Sequence, residues 1–451
     1  MTARLTESML HGHLWGTAEL RAVFAEPARL QGWLDVLSAL AEAQAELGIV
    51  PAPAASAITA GARVAALDLD YVAAETRRTS HSTLGLIAGL RKVLPDDAGE
   101  WVYYGATVQD VTDTWTALAV RDVCGVLWRD LRRLEERLLE LAEEHRDTVL
   151  AGRTHGQAGA PTSFGLKAAS WADEIRRHLD RLREGGPRWF VGQLGGAVGT
   201  LAFYGAAGTE LRELFCARLG LGDPGVSWTS SRDRIAEFGG LLALVTATLA
   251  RIGTEIYQLG RSEIDEVREP ASPGAVGSIT MPHKRNPEAS EHLDTLARLV
   301  RAAAGVLMEG MIAEHERDGR AWKAEWVALP EACLLAGASL AYAVDVVDGL
   351  EVNADTMRSN LGPYSGSEQA LALLAPRLGK HRAQDLLQQA LAAGRDKRLS
   401  LIDALREADL VDDVLERRLA EPFLGAAGEM VDTVVRRARA ARAAEPEQWP
   451  E

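Results

Sequence analysis

Residues 274–287, with the sequence GAVGSITMPHKRNP, combine polar side chains that could create and stabilise negative charge beside a carboxylate. Lys284 and Asn286 lie two residues apart, and a fixed cation next to a directional amide donor is suited to holding a carboxylate. Ser278 could act as a base if backbone amides, a helix N-terminus or Lys284 stabilised its alkoxide. A phosphate-binding loop or a simply exposed loop is the alternative, although the GxxxxGK spacing of a nucleotide-binding loop is absent.

Long helices must position this segment. Apolar residues recur with helical spacing in five stretches, which lie near 127–141, 171–182, 238–259, 288–308 and 334–350. In the first stretch, leucines step by four, three, four and three residues, which is typical of one long helix. Several stretches carry apolar residues on more than one face, so we expect a helical bundle whose subunits associate. A large monomeric bundle is the alternative.

Composition narrows the classes of protein that this chain could belong to. Its 451 residues include 49 basic and 64 acidic side chains, for a formal net charge of -15. Such a chain is not suited to coating nucleic acid or an anionic membrane, whereas an anionic substrate needs only a few local cations. Three cysteines far apart in sequence, without a CxxC pair, fit a reducing compartment. The N-terminus lacks a signal-peptide core and no long apolar run occurs, so we expect a cytoplasmic protein.

Polar, glycine-containing stretches separate the predicted helices. They are YYGATVQDVTDT at 103–114, GRTHGQ at 152–157, WTSSRDR at 228–234 and the segment described first. The pattern G-S-x-x-M-P-x-K-x-N at 277–286 resembles the signature of the fumarase/aspartase superfamily, and MPHKRNP is similar to the loop of its adenylosuccinate lyase and carboxymuconate cycloisomerase branches. The other three stretches resemble two further conserved regions and a substrate loop of that superfamily, so the resemblance covers nearly the whole chain.

The resemblance implies an all-α fold of three domains, with boundaries at 1–99, 100–347 and 348–451. It implies a homotetramer in which the long central helices form a twenty-helix core and each active site gathers loops from three subunits. The implied reaction is an anti β-elimination that releases fumarate from a small anionic di- or tricarboxylate. No metal ion and no organic cofactor is implied.

Residue roles follow from the same resemblance, position by position. Ser278 is expected to be the general base on a mobile loop, and His155 is expected to protonate the leaving group while Glu291 tunes that histidine. Lys284 and Asn286 are expected to hold the aci-carboxylate that forms when the proton beside a carboxylate is removed. Preorganised donors at such a developing dianion lower the barrier to its formation.

A second group of residues is expected to bind substrate. It consists of Thr107, Thr154, Gln157, His81, Arg232 and Met281. His81 lies in TSHSTLG, where adenylosuccinate lyases carry a second substrate histidine. For Arg232 a salt bridge is the alternative interpretation. Arg317 and Lys323 could also face an anionic substrate.

Four positions depart from the superfamily pattern. Val108 and Ile279 stand where serines are usual, Tyr103 stands where the first region usually has histidine, and Leu37 stands where the N-terminal helix often has glutamate. The first two changes should reduce the donors near one carboxylate or shrink the pocket. For Leu37 a change in core packing is the preferred interpretation.

The stretch EHERDGRAWKAEWVALPE at 314–331 bears on the substrate. It resembles the cycloisomerase branch more than the segment that serves the purine substrate of adenylosuccinate lyases. We therefore expect a lyase that releases fumarate from a small substituted succinate, with carbon–nitrogen cleavage favoured. A 3-carboxy-cis,cis-muconate cycloisomerase is the main alternative. An adenylosuccinate lyase and a non-catalytic structural protein are further alternatives.

Overall fold

The computed structural model describes residues 4–271, 274 and 276–449, and in this part of the chain α-helices dominate. In chain order, α1 to α18 span Ala18–Phe24, Glu26–Glu46, Ala52–Gly61, Leu69–Thr79, Leu84–Val93, Asp96–Gly99, Val108–Glu144, Phe164–Trp189, Gly208–Arg218, Asp233–Leu259, Glu288–Glu309, Gly319–Asp348, Ala354–Ser359, Ser367–Leu378, Lys380–Asp396, Leu401–Glu407, Asp413–Leu419 and Ala427–Ala444. Short strands pair in two antiparallel sheets: β1 (Val149–Thr154) with β2 (Gln157–Ser163), and β3 (Val267–Arg268) with β4 (Glu351–Val352). The all-α expectation is confirmed, with these small hairpins added.

The five predicted long helices are confirmed as α7, α8, α10, α11 and α12. The leucine stripe of α7 is buried in the main core, as its spacing predicts. The start of α12 differs from the prediction, because this helix begins at Gly319 and continues through Pro330.

Close packing of α10 against α11 depends on glycine. A Cβ at Gly239 would lie 2.5 Å from Leu307, and a Cβ at Gly253 would lie 2.9 Å from Leu293. Because the earlier glycine faces the later leucine, the two helices run antiparallel. The absence of a side chain at these two points allows the backbones to approach closely.

Contacts near the helix ends fix the directions of the other bundle members. The Trp322 side chain near the start of α12 donates to Asp113 near the start of α7, and Gln109 in the first turn of α7 donates to the carbonyl of Thr229, just before α10. Helices α7, α10 and α12 therefore start at one end of the bundle, called here the Thr107 end. Helix α11 starts at the opposite end, called here the Ser278 end.

Separate cores lie on either side of the bundle. Helices α2 to α6 and α9 share one apolar core, and α14 to α17 enclose two small ones. Helix α18 returns to the central bundle, where Val431 and Val435 join the main core. The three-domain division at 99 and 347 stays a prediction.

Two helices, α10 and α12, are long and apolar enough to cross a membrane by length and composition. Within the fold, 67% of the most apolar window of each is buried against other parts of the chain. This burial is typical of core helices in a large helical bundle.

Candidate active site

His155 lies at the tip of a β-hairpin, where sequence analysis treated the surrounding residues as a loop. Thr154 pairs with Gln157, and His155 and Gly156 form the turn with φ values of 51° and 72°. Two successive positive φ values are what a tight two-residue hairpin turn requires. The side chains of Thr154, His155 and Gln157 are therefore presented together, and all three are exposed in the single chain.

A buried ion pair fastens this hairpin to the bundle. Arg153, two residues before His155, binds the fully buried carboxylate of Glu266 through two hydrogen bonds, one of 2.9 Å. Asn360 also donates to Glu266, at 2.9 Å. A buried carboxylate is stable only with such partners, so Arg153 and Glu266 fix where the hairpin can lie.

The segment with the proposed base forms a compact double turn. The Ser278 hydroxyl oxygen accepts the N–H of Met281 at 3.0 Å, and the Lys284 N–H donates to the carbonyl of Met281 at 2.9 Å. A Cβ at Gly277 would clash with the Lys284 carbonyl, so glycine allows the chain to fold back on itself here. The structure thus brings Ser278 and Lys284 into one unit, which we call the lid (277–286).

Glu269, which precedes the lid, connects the end of the lid with the start of α11. The Glu269 carboxylate accepts the N–H groups of Ala289 and Ser290 at 3.2 and 2.7 Å, as expected for an acidic group at a helix N-terminus. Arg285 donates to the Glu269 carbonyl at 3.3 Å and to Glu351 at 3.1 Å. These contacts hold Arg285 near Glu269 at the start of α11.

The remaining predicted residues of this end lie on the lid or in the first turn of α11. Asn286 donates to Glu288 at 3.3 Å, and Glu291 is exposed in the first turn of α11. Met281 is 43% exposed on the lid itself. No described contact joins His155 to Ser278, Lys284 or Glu291 within one chain.

Thr107 lies at the opposite end, as the N-cap residue of α7. Its N–H donates to the buried carboxylate of Asp110 at 2.8 Å, and the same carboxylate accepts the N–H groups of Gly195 and Gly196 at 2.9 and 3.1 Å. Gln193 adds a side-chain donor at 3.2 Å. Burial raises the pKa of Asp110 to about 6, and these hydrogen bonds oppose the rise.

Arg317 connects this helix start to a glycine-rich loop, defined here as residues 195–199. Its Nη1 donates to the Thr107 hydroxyl oxygen at 2.8 Å, and its Nη2 donates to the carbonyls of Gly196 and Ala197 at 3.3 and 3.1 Å. From the sequence, Arg317 is expected only as a possible anion ligand, with no connection to Thr107. The two residues are 210 positions apart, so no local pattern could have paired them.

Tyr103 and His81 complete this group of side chains. Burial, followed by the charge of Asp110, raises the pKa of Tyr103 to about 12. The Thr83 N–H lies 3.4 Å from His81 Nδ1, so His81 keeps its other ring nitrogen for a further partner. Tyr103 thus supplies a hydroxyl where the superfamily pattern usually has a histidine.

Arg232, expected to bind substrate with a salt bridge as the alternative, lies in a buried ion-pair network. Arg232 is 2% exposed, and its guanidinium donates to Asp113 at 2.7 Å and to Glu325 at 2.9 Å. These two carboxylates belong to α7 and α12. The guanidinium therefore joins two helices of the bundle, which is the arrangement of the salt-bridge interpretation, and a role of Arg232 in substrate binding stays a prediction.

Within one chain, the residues around Thr107 do not lie near the lid. Helix α7 has 37 residues, so about 55 Å separates its ends, and the 27 residues of α10 span about 40 Å. Thr107 lies at the start of α7, whereas the lid follows the far end of α10 and precedes α11. A small dicarboxylate cannot touch both groups within a single chain.

Comparisons with known proteins agree with the fold and the sequence pattern. A family model described as a lyase matches residues 16–302. The chain is 40% identical over 445 residues to the N-acetyl-S-(2-succino)cysteine lyase of Dickeya dadantii, covering 97% of this chain and 98% of that protein. It is also 40% identical over 428 residues to the 3-carboxy-cis,cis-muconate cycloisomerase of Pseudomonas aeruginosa, with coverage of 92% and 93%.

Two further comparisons extend this result. The adenylosuccinate lyase of Methanothermobacter thermautotrophicus is 40% identical over 434 residues, with coverage of 93% of this chain and 96% of that protein. The crystal structure of a fumarate lyase from Mesorhizobium sp. BNC1 has a TM-score of 0.87 and 34% identity over 93% of this chain and 98% of that one. The chain therefore belongs to this lyase family, within the fumarase/aspartase superfamily whose signature its lid carries.

Proposed function

We propose that the protein releases fumarate from a 2-thiosuccinate, a succinate bearing a thioether at C2, by anti β-elimination. The observation that carries this proposal is the lid, in which the Ser278 hydroxyl and the Lys284 backbone belong to one compact unit. When the base and the cation lie on one element, the cation can bind a substrate carboxylate while the base contacts the carbon beside it. The name of the Dickeya relative, a lyase of a succinylated cysteine, supports sulfur as the leaving atom.

The proposed chemistry balances without a cofactor. The Ser278 alkoxide takes the proton from the carbon beside a carboxylate, and the resulting dianion is held by Lys284 and Asn286. The electron pair forms the carbon–carbon double bond, the carbon–sulfur bond breaks, and the pair of that bond leaves on sulfur. A cysteine-type thiol has a pKa near 8.5, so a thiolate leaves with less help from an acid than an amine needs. His155 then protonates the departing thiolate, which gives the free thiol.

The two departures next to proposed site residues fit this choice of leaving group. Ile279 follows Ser278 and is 95% exposed, and Val108 follows Thr107 and is buried. Apolar side chains at positions where serine is usual provide fewer hydrogen bonds for a polar leaving group and more contact area for a thioether. Carbon–nitrogen cleavage, which sequence analysis favoured, remains the alternative that the assay below tests.

We further propose that the active enzyme is a homotetramer whose sites combine the Thr107 end of one subunit with the lid and hairpin of others. Large apolar side chains are exposed along α10 to α12, where they are not covered by the chain itself: Leu244, Tyr257, Leu299, Val306, Met308, Trp326 and Val327. A patch of this kind on a long-helix face is typical of a subunit interface. Antiparallel association of these faces would bring opposite ends of different chains together.

The cycloisomerase is the second candidate, and the observation that favours it is the stretch 314–331 with its resemblance to that branch.

Three buried free cysteines, Cys124, Cys216 and Cys333, accord with the cytoplasmic location expected from the sequence.

The test offers purified protein three kinds of substrate and follows the ultraviolet absorbance of fumarate. N-acetyl-S-(2-succino)cysteine, aspartate-type N-substituted succinates and 3-carboxy-cis,cis-muconate represent sulfur, nitrogen and lactone chemistry. We expect fumarate to form fastest from the thioether, and an equimolar free thiol to appear with a thiol reagent. Turnover of the muconate alone would replace this proposal with the cycloisomerase, and preference for an amine would restore carbon–nitrogen cleavage.

A further inference from the structure

We infer that Arg317 is a positioning residue for substrate binding: it commits the Thr107 hydroxyl to donating a hydrogen bond to a substrate carboxylate. The inference rests on the proposed function, because it needs an anionic substrate at the Thr107 end. Its starting observation is the hydrogen bond of 2.8 Å from Arg317 Nη1 to Thr107 Oγ1.

The polarity of that bond is fixed by the chemistry of arginine. A guanidinium has five N–H donors, accepts nothing and stays protonated in proteins. Thr107 Oγ1 must therefore be the acceptor, and its hydroxyl hydrogen must point away from Arg317. A hydroxyl so oriented can donate to an anionic oxygen without first reorganising. Without the guanidinium, the same hydroxyl hydrogen would be free to take other orientations.

The glycine-rich loop is held from both sides by opposite charges. The Asp110 carboxylate accepts the N–H groups of Gly195 and Gly196, while Arg317 donates to the carbonyls of Gly196 and Ala197. The negative carboxylate thus accepts from backbone N–H groups, and the positive guanidinium donates to backbone carbonyls. Loss of Arg317 would therefore release one side of this loop as well as the Thr107 hydroxyl.

The charge of Arg317 is not neutralised within the part of the chain that the structure describes. Its Nε is buried without a hydrogen-bond partner, and no described carboxylate pairs with it. Other arginines nearby differ: Arg232 pairs with Asp113 and Glu325, and Arg320 pairs with Asp318. In a chain with net charge -15, an unpaired half-buried cation favours an anion beside it.

Neighbouring contacts hold the backbone of Arg317 in place. The Thr229 hydroxyl donates to the Glu316 carbonyl at 2.8 Å, and the Asp318 side chain caps the start of α12. Glu325, one of the two carboxylates on Arg232, lies two turns farther along the same helix. The segment before α12 is therefore anchored on both sides of Arg317, as precise positioning of a functional side chain requires.

The experiment compares Arg317→Gln, Thr107→Val, the double variant and a matched control, Arg320→Gln, in the full-length protein. Arg320 is an exposed arginine three residues away that contacts no proposed site residue. For each protein we would measure kcat and KM with N-acetyl-S-(2-succino)cysteine, the Kd of fumarate by calorimetry, and the thermal midpoint. We expect Arg317→Gln to raise KM and the fumarate Kd about ten- to a hundredfold, with a smaller fall in kcat, and Arg320→Gln to change none of them.

Coupling between the two residues decides the inference. If Arg317 acts through Thr107, the double variant should bind fumarate about as weakly as the weaker single variant, because the effects are not additive. Wild-type affinity in Arg317→Gln, or multiplied effects in the double variant, would overturn the inference. Wild-type protein that neither binds fumarate nor turns over any succinyl compound would instead refute the proposed function. Should Arg317→Gln fail to fold, Arg317→Lys, which keeps charge but not the three-acceptor geometry, is expected to show the same rise in Kd.

Discussion

Mixing two impaired variants should restore activity if neighbouring subunits share the site. Thr107→Val removes a proposed substrate hydroxyl at one end of the bundle, and Ser278→Ala removes the proposed base at the other. Each variant alone should be impaired, the second far more severely. Because about 40 Å of helix α10 separates the two ends within one chain, an intact Thr107 and an intact Ser278 at one site must come from different chains.

The expected recovery can be calculated from random assembly. When equal amounts of the two variants form mixed oligomers, each chain position holds either variant with equal chance. A site therefore has both an intact Thr107 and an intact Ser278 in about a quarter of cases, so activity per site should approach about a quarter of wild type. If one chain supplied both residues, no site would be intact and no recovery would occur.

The assay co-expresses the variants with two different affinity tags, purifies oligomers that carry both tags, and follows fumarate release. A matched control co-expresses wild type with the double variant Thr107→Val/Ser278→Ala. Shared sites predict about a quarter of wild-type activity in this control as well, whereas sites within one chain predict about half. Mixed oligomers no more active than the mean of their parents would refute the reasoning from helix length.

Three other predictions concern single side chains. Ser278→Ala should lower kcat by orders of magnitude while sedimentation shows an unchanged oligomer, and retained turnover would mean that another group is the base. His155→Asn should slow release of an amine more than release of a thiol, because the thiolate is the better leaving group, and equal losses in fumarate assays would contradict the assigned acid role. The folded-state pKa of Asp110, about 6, lies above its ordinary value of 3.8, so its contribution to stability is full below about pH 4 and is lost as the pH rises through about 6. The difference in thermal midpoint between wild type and Asp110→Asn should therefore change across this window, and a constant difference would show that Asp110 does not titrate there.

The amino-acid sequence by itself determined the helices and the types of side chain available for catalysis. Helical periodicity is a local property, so the leucine stripe of α7 predicted a long buried helix that the structure confirms. The lid signature was equally local, because Ser278, Lys284 and Asn286 lie within nine residues of one another. The capping pair of Thr107 and Asp110, three residues apart, is also a local pattern of a helix start.

Only the tertiary structure decided which of these side chains lack a partner within the chain and are available to bind a substrate. Arg232 and Arg317 both precede helices in polar segments, yet one is neutralised by two buried carboxylates and the other is left with neutral oxygens. The ion pair of Arg153 with Glu266, which fixes the position of the His155 hairpin, likewise depends on how the chain packs across the fold, and so does the separation of Thr107 from the lid. These contacts join residues about a hundred or more positions apart, where sequence spacing carries no distance information. The physical reason is that burial and charge pairing depend on neighbours in space, whereas sequence patterns report neighbours along the chain.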